Sequence, residues 1–219
     1  MQELELSKKI LDDILDNDTA FNEALRKVFQ ADASLRPMRS DVAALVGCTL
    51  RHHLLFKELL GSFKDWTVNE QRYVAITLGD VHFARRIEKE PMTEALKAIL
   101  GEEKYALVAP LMDTEAGKSL IPERYDRSSN RYLSLRYNTP EWVLKIWQHY
   151  GYGATYKILR KNARPGLESV RVRTSKVSVE EILNNNPDFV KAPVEGMLLY
   201  GGKVPLRKLD IHRDGKIYA

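Results

Sequence analysis

Apolar residues recur at three- and four-residue spacing through the first 112 positions, the period of amphipathic helices. Leu4, Leu6, Ile10, Leu11, Ile14 and Leu15 predict a first helix. Phe21, Leu25, Val28 and Phe29 predict a second, after the turn-prone Asn17-Asp18-Thr19. A long third helix is expected over about 38–60, carried by Val42, Leu45, Val46, Leu50, Leu54, Leu55 and Leu59, with Gly61 as its stop. Trp66-Thr67 opens the next. Glu70 falls three residues after Thr67, the spacing at which hydroxyl and carboxylate each accept the other residue's backbone N–H. Pro91 starts a further helix through Leu96 and Leu100, and residues 102–112 continue the helical pattern. Short turns force consecutive helices to pack side by side, so the expected architecture is an antiparallel bundle.

The pattern changes after residue 112. Residues 113–138 are polar, with Arg124, Arg127, Arg131 and Arg136, and read as a linker carrying at most a short helix. Thr139 can cap the next helix, Pro140 suits its first position, and Glu141 favours the positive end of the helix dipole. Trp142, Val143, Ile146, Trp147 and Tyr150 then recur at helical spacing and predict a buried face, until Gly151 and Gly153 break the run. A helix over about 154–163 follows, ending in the basic residues Lys157, Arg160, Lys161 and Arg164. Beyond Gly166 the period shortens to two. Val170 and Val172 alternate with Arg171 and Arg173, as in a strand with one wet face. Ser178 and Glu181 form a second capping pair before Ile182 and Leu183, and residues 187–219 read as strands punctuated by Pro193, Gly196, Gly201-Gly202 and Asp214-Gly215. The fold class expected is mainly α: a helical bundle over 1–125 and a small α/β domain over 126–219.

Length permits this division, since 219 residues can bury one large core or two small ones. No apolar run approaches the ~20 residues of a membrane span. The N-terminal MQELELSKKILDDILDN is acidic and amphipathic, unlike a signal peptide, so a cytoplasmic location is expected. Cys48 is the single cysteine, which excludes an internal disulfide and any multi-cysteine metal site. Its apolar neighbours Val42, Leu45, Val46 and Leu50 predict a small buried helical residue instead of a nucleophile.

The formal charge of +4 conceals an asymmetry. Residues 1–120 hold 16 Lys/Arg against 20 Asp/Glu, whereas residues 121–219 hold 18 against 10. Because Lys and Arg that neutralise phosphates supply much of nucleic-acid affinity, localised charge matters more than the total. Arg160, Lys161, Arg164, Arg171, Arg173 and Lys176 surround one helix-to-strand junction, and Arg131 and Arg136 extend the path. These are the candidate RNA-binding residues; the alternative is an ordinary solvated surface. Tyr152 and Tyr156 could stack on bases, whereas Trp142 and Trp147 read as core. Gly117-Lys118-Ser119 fails as a phosphate loop, because Met112 stands where its leading glycine belongs and no strand precedes it. His52 and His53 project about 100° apart on a helix and cannot share one metal. No metal site and no catalytic residue emerges.

The segments RYNTPEWVLKIW, KNARPG and SVRVRT together resemble the N-terminal, non-catalytic part of the bacterial Sun-type (RsmB-like) ribosomal RNA cytosine-5 methyltransferases. Asn138 and Thr139 stand where the family's R-Y-S-H-P-x-W has Ser-His, and Thr139 keeps a capping hydroxyl. The resemblance is strong over about 131–176 and only patterned before that. It implies a domain similar to the antitermination factor NusB, then a small RNA-binding domain, with ribosomal RNA as partner and S-adenosylmethionine as the cofactor of the full-length enzyme. The family's catalytic cysteines and its Gly-rich strand-to-helix turn for the methyl donor have no counterpart here, and HRDGKIYA resembles the passage into the catalytic domain. The expectation is therefore an RNA-recognition region without its own active site or cofactor, whose partners are ribosomal RNA and the missing catalytic domain. The alternative is a free-standing NusB-like RNA- or protein-binding factor in antitermination or ribosome assembly.

Overall fold

The computed structural model describes residues 1–114, 119–163, 167–202 and 204–218. The chain is mainly α-helical with a small sheet near its end, and it divides into two compact units, 1–155 and 156–219. The compact units part between Thr155 and Tyr156, later than the 125/126 division read from the sequence.

The first unit begins with α1 (Gln2–Asn17), α2 (Phe21–Ala31), α3 (Arg39–Arg51), α4 (His53–Leu60), α5 (Val68–Gly79) and α6 (Lys89–Val108). Helix α1 packs on α2, α3 and α5, and its Leu4, Ile10 and Leu11 are buried with Leu25, Phe29, Val42, Leu45, Val46 and Ile76. At the start of α5 the capping pair forms as expected: Glu70 N–H donates to Thr67 Oγ1 at 3.2 Å, and Thr67 N–H donates to Glu70 Oε2 at 2.8 Å. Helix α6 bends at Gly101, whose φ of 77° is open to glycine at little cost.

The long third helix is instead two helices broken at His52. The cause lies far along the chain. Asn138 accepts the Leu54 N–H through Oδ1 at 2.9 Å and donates through Nδ2 to the Leu50 carbonyl at 3.1 Å, satisfying both sides of the break. Asn138 itself sits in the left-handed region (φ 49°), which asparagine tolerates better than most residues.

The stretch read as a linker contains α7 (Asn130–Tyr137), with Leu133 and Leu135 buried. Leu135 and Ile121 pack on Leu55 of α4, which explains why this segment belongs to the helical unit. Thr139 does not cap the following helix, α8 (Glu141–Gln148). Its N–H bonds to Ser134 O and its hydroxyl donates to Tyr137 O, so it finishes α7.

The aromatic face of α8 is also corrected. Trp142 is 66% exposed, Ile146 51% and Tyr150, just beyond the helix, 75%. Leu144, about 200° around the helix from Trp142, is the residue that is buried, with Val143 and Trp147 half-buried beside it. Helix α9 (Tyr152–Asn162) follows.

In the second unit, β1 (Glu168–Val172), α10 (Val179–Asn185), β2 (Phe189–Lys191), β3 (Met197–Tyr200), α11 (Asp210–Arg213) and β4 (Ile217–Tyr218) build a sheet of order β2-β3-β1-β4. All three pairings are antiparallel. Val170, Val172, Leu198, Tyr200 and Ile217 form a core with Ile182 of α10 and Leu206, against which Leu209 and Ile211 pack.

Candidate nucleic-acid interface

Period-two alternation on β1 positions the central arginines. Val170 and Val172 are buried, which leaves Arg171 and Arg173 exposed on the other side, as the sequence pattern predicts. Arg171 stands opposite Met197 of β3 and Tyr218 of β4. Arg173 N–H bonds to the Lys216 carbonyl at 2.8 Å, and its guanidinium carbon lies 6.0 Å from the centre of the Tyr218 ring. The turn after β1 folds Lys176 back: its N–H donates to Arg173 O at 2.8 Å and its Nζ to Asp214 O at 3.0 Å. Both cations close on Gly215, where a side-chain carbon would stand 3.4 Å from Lys176 Nζ and 3.9 Å from Arg173 Nη1. Gly215 has a φ of 63°, so glycine serves both the turn and the close approach there.

Pairing distinguishes these cations from Arg72, Arg124 and Arg131 of the helical unit. Among the described residues no carboxylate forms an ion pair with Arg171, Arg173 or Lys176. Arg72, by contrast, bonds to Asp12 at 2.6 Å and to Asp16 at 2.5 Å. Arg131 bonds to Glu58 and, at 3.1 Å, to Glu141. Arg131 therefore ties helices of the first unit together, and Arg136 of the same unit is exposed but donates to Tyr132 Oη at 3.1 Å. Arg160 and Lys161 are exposed in the last turn of α9, with Arg160 over the Tyr156 ring at 5.9 Å. Arg164 lies outside the described residues, as do Gly117 and Lys118 of the rejected phosphate loop. The structure thus brings Arg171, Arg173 and Lys176 together around the end of β1, joined by Tyr218, which the sequence reading did not single out. Tyr218 lies on a strand of only two residues, Ile217–Tyr218, which leaves no periodicity in the sequence to mark it.

The fold is similar to that of PH0851. This crystal structure matches with a TM-score of 0.55 over 98% of the chain at 15% identity, a likeness of fold. The match covers 52% of PH0851, so the chain spans about half the length of that protein. No family model and no curated protein matches the sequence.

The remaining chemistry-bearing residues have structural surroundings. Cys48 is buried and its Sγ lies 3.3 Å from the Gly79 carbonyl; burial pushes the thiol up to about 11, so it is not a thiolate near neutrality. His52 stacks on Phe83 with ring centres 3.8 Å apart, and burial lowers it to about 4, which keeps it neutral. His82 Nε2 sits 2.7 Å from Leu111 O. Among the described residues no three His, Cys, Asp or Glu side chains form a group that could hold a metal ion, and no helix is long and apolar enough to cross a membrane. Gly151 lies in the connection from α8 to α9 and Gly153 in the first turn of α9, so the pair follows a helix and does not fit the strand-to-helix cradle of S-adenosylmethionine.

Proposed function

We propose that this chain is the RNA-binding N-terminal region of an S-adenosylmethionine-dependent ribosomal RNA cytosine-5 methyltransferase, and that its second unit positions ribosomal RNA for a catalytic domain lying outside these residues. The observation that carries the reading is the cluster of exposed cations around the end of β1, Arg171, Arg173 and Lys176, which form no ion pair with a carboxylate among the described residues. Residues 156–219 hold 13 Lys/Arg against seven Asp/Glu, so this local cluster belongs to a positively charged unit. The resemblance of the segments from RYNTPEW to SVRVRT supports the same assignment, and the fold likeness to PH0851 is compatible with it.

An Arg171→Ala/Arg173→Ala/Lys176→Ala variant should bind ribosomal RNA more weakly, with a salt dependence flatter by about 2, from ~0.7 per single-strand phosphate contact. Replacing exposed Arg26, Arg36 and Lys64 of the first unit removes the same charge and should leave both quantities unchanged. Equal losses in the two variants would reject the site. A second reading, a protein-binding factor, draws on the exposed stripe of Trp142, Ile146 and Tyr150. It requires a stoichiometric protein partner that Trp142→Ala releases, and no RNA bound through Arg171 and Arg173.

A further inference from the structure

Strand register sorts the sheet of the second unit into two unlike faces. Met197, Arg171 and Tyr218 form one cross-strand row, and Val190, Leu199 and Ser169 form the adjacent row on the same side. The other side carries Val170, Leu198 and Ile217 and is buried by α10 and the segment around Leu206 to Ile211. On the first side Tyr218 is 45% and Val190 48% exposed, Arg171 is exposed, and Met197 and Leu199 are half-buried. None of these six residues is acidic. The face is thus apolar and aromatic along its rows and positively charged at one edge, where Arg171 lies opposite Tyr218 and the Arg173 guanidinium lies 6.0 Å from the Tyr218 ring.

Those two properties select between forms of RNA. A paired A-form helix offers phosphates and hydroxyls but keeps the flat faces of its bases inside the stack. An aromatic ring on an open sheet gains nothing from such a surface. An unpaired strand exposes base faces that can lie on an aromatic ring while neighbouring arginines hold the phosphates. We infer that Tyr218, set between Arg171 and Arg173, is a stacking platform for an unpaired RNA base, and that the second unit therefore selects single-stranded over duplex RNA. This inference rests on the RNA-binding reading above and names the form of RNA that the same surface takes.

The test uses the intact chain and two fluorescein-labelled probes, an oligouridine of about twelve nucleotides and an RNA duplex of similar length. Fluorescence anisotropy should show the wild type binding the single strand more tightly. Tyr218→Ala should weaken oligouridine binding about tenfold and leave the duplex unaffected, while Tyr218→Phe, which keeps the ring, should bind like the wild type. Tyr218→Thr keeps a strand-forming residue at the sheet edge and should match the alanine variant, so it decides the question if alanine loosens β4. Wild-type binding that favours the duplex, or oligouridine affinity untouched by removal of the ring, overturns the stacking inference and leaves the RNA reading in place. Absence of wild-type binding to either probe overturns both.

Discussion

Glu58 holds the segment before α7, and α7 itself, to the helical bundle, and its removal has a calculable cost. One carboxylate oxygen accepts from Arg124 Nη2 at 2.7 Å and from Tyr125 Oη, and the other accepts from Arg131 Nη2. These hydrogen bonds, Tyr125 foremost, hold the Glu58 carboxyl down to about 2, against an ordinary 4.5. That difference corresponds to about 3 kcal/mol at most. The Arg124 and Arg131 side chains are 66% and 43% exposed, so solvent screening reduces the expected cost of Glu58→Gln to about 2 kcal/mol at neutral pH. Because the folded-state value is lowered, the stabilisation is complete above the unfolded value near 4.5 and is lost as pH falls towards 2. In urea unfolding, the gap between wild type and Glu58→Gln should shrink by about 1 kcal/mol per pH unit between pH 4.5 and 3. Equal stability at pH 7, or a gap that stays constant down to pH 3, would refute this account of how α7 is anchored.

Two further substitutions test the corrected helical elements. Leu144→Ala should cost about 2–5 kcal/mol in urea unfolding, as for a buried leucine, whereas Trp142→Ala should cost under about 1 kcal/mol; the reverse ranking would restore the aromatic residues to the core. Asn138→Ala should cost about 2–3 kcal/mol by stripping two backbone groups at the α3–α4 break and leaving a left-handed alanine, and Asn138→Gly should recover only the conformational part.

The elements that could be read from sequence are those governed by neighbours along the chain. The Thr67–Glu70 cap needs only a three-residue spacing, and the alternation of Val170, Arg171, Val172 and Arg173 gives the wet face of β1 directly. The division of helix 38–60 was hidden because no glycine or proline marks it: its determinant, Asn138, lies more than 80 residues away in sequence. The α8 stripe misled for a different reason. Helical spacing identifies an apolar face without saying which face meets the core, and here the half-turn carrying Leu144 does. Arg131 looked like an extension of the basic path, yet Glu58 and Glu141 hold its guanidinium, and charge counts do not reveal such pairing. Tyr218 escaped notice because a two-residue strand has too little pattern to declare itself.

The most direct measurement on the central claim is the affinity of the intact chain for a ribosomal RNA fragment across a salt series from about 50 to 300 mM. If Arg160, Lys161, Arg171, Arg173 and Lys176 face the RNA backbone, log affinity should fall against log salt with a slope of about −3 to −4. A slope near zero, or no retention of RNA at the lowest salt, would contradict the account.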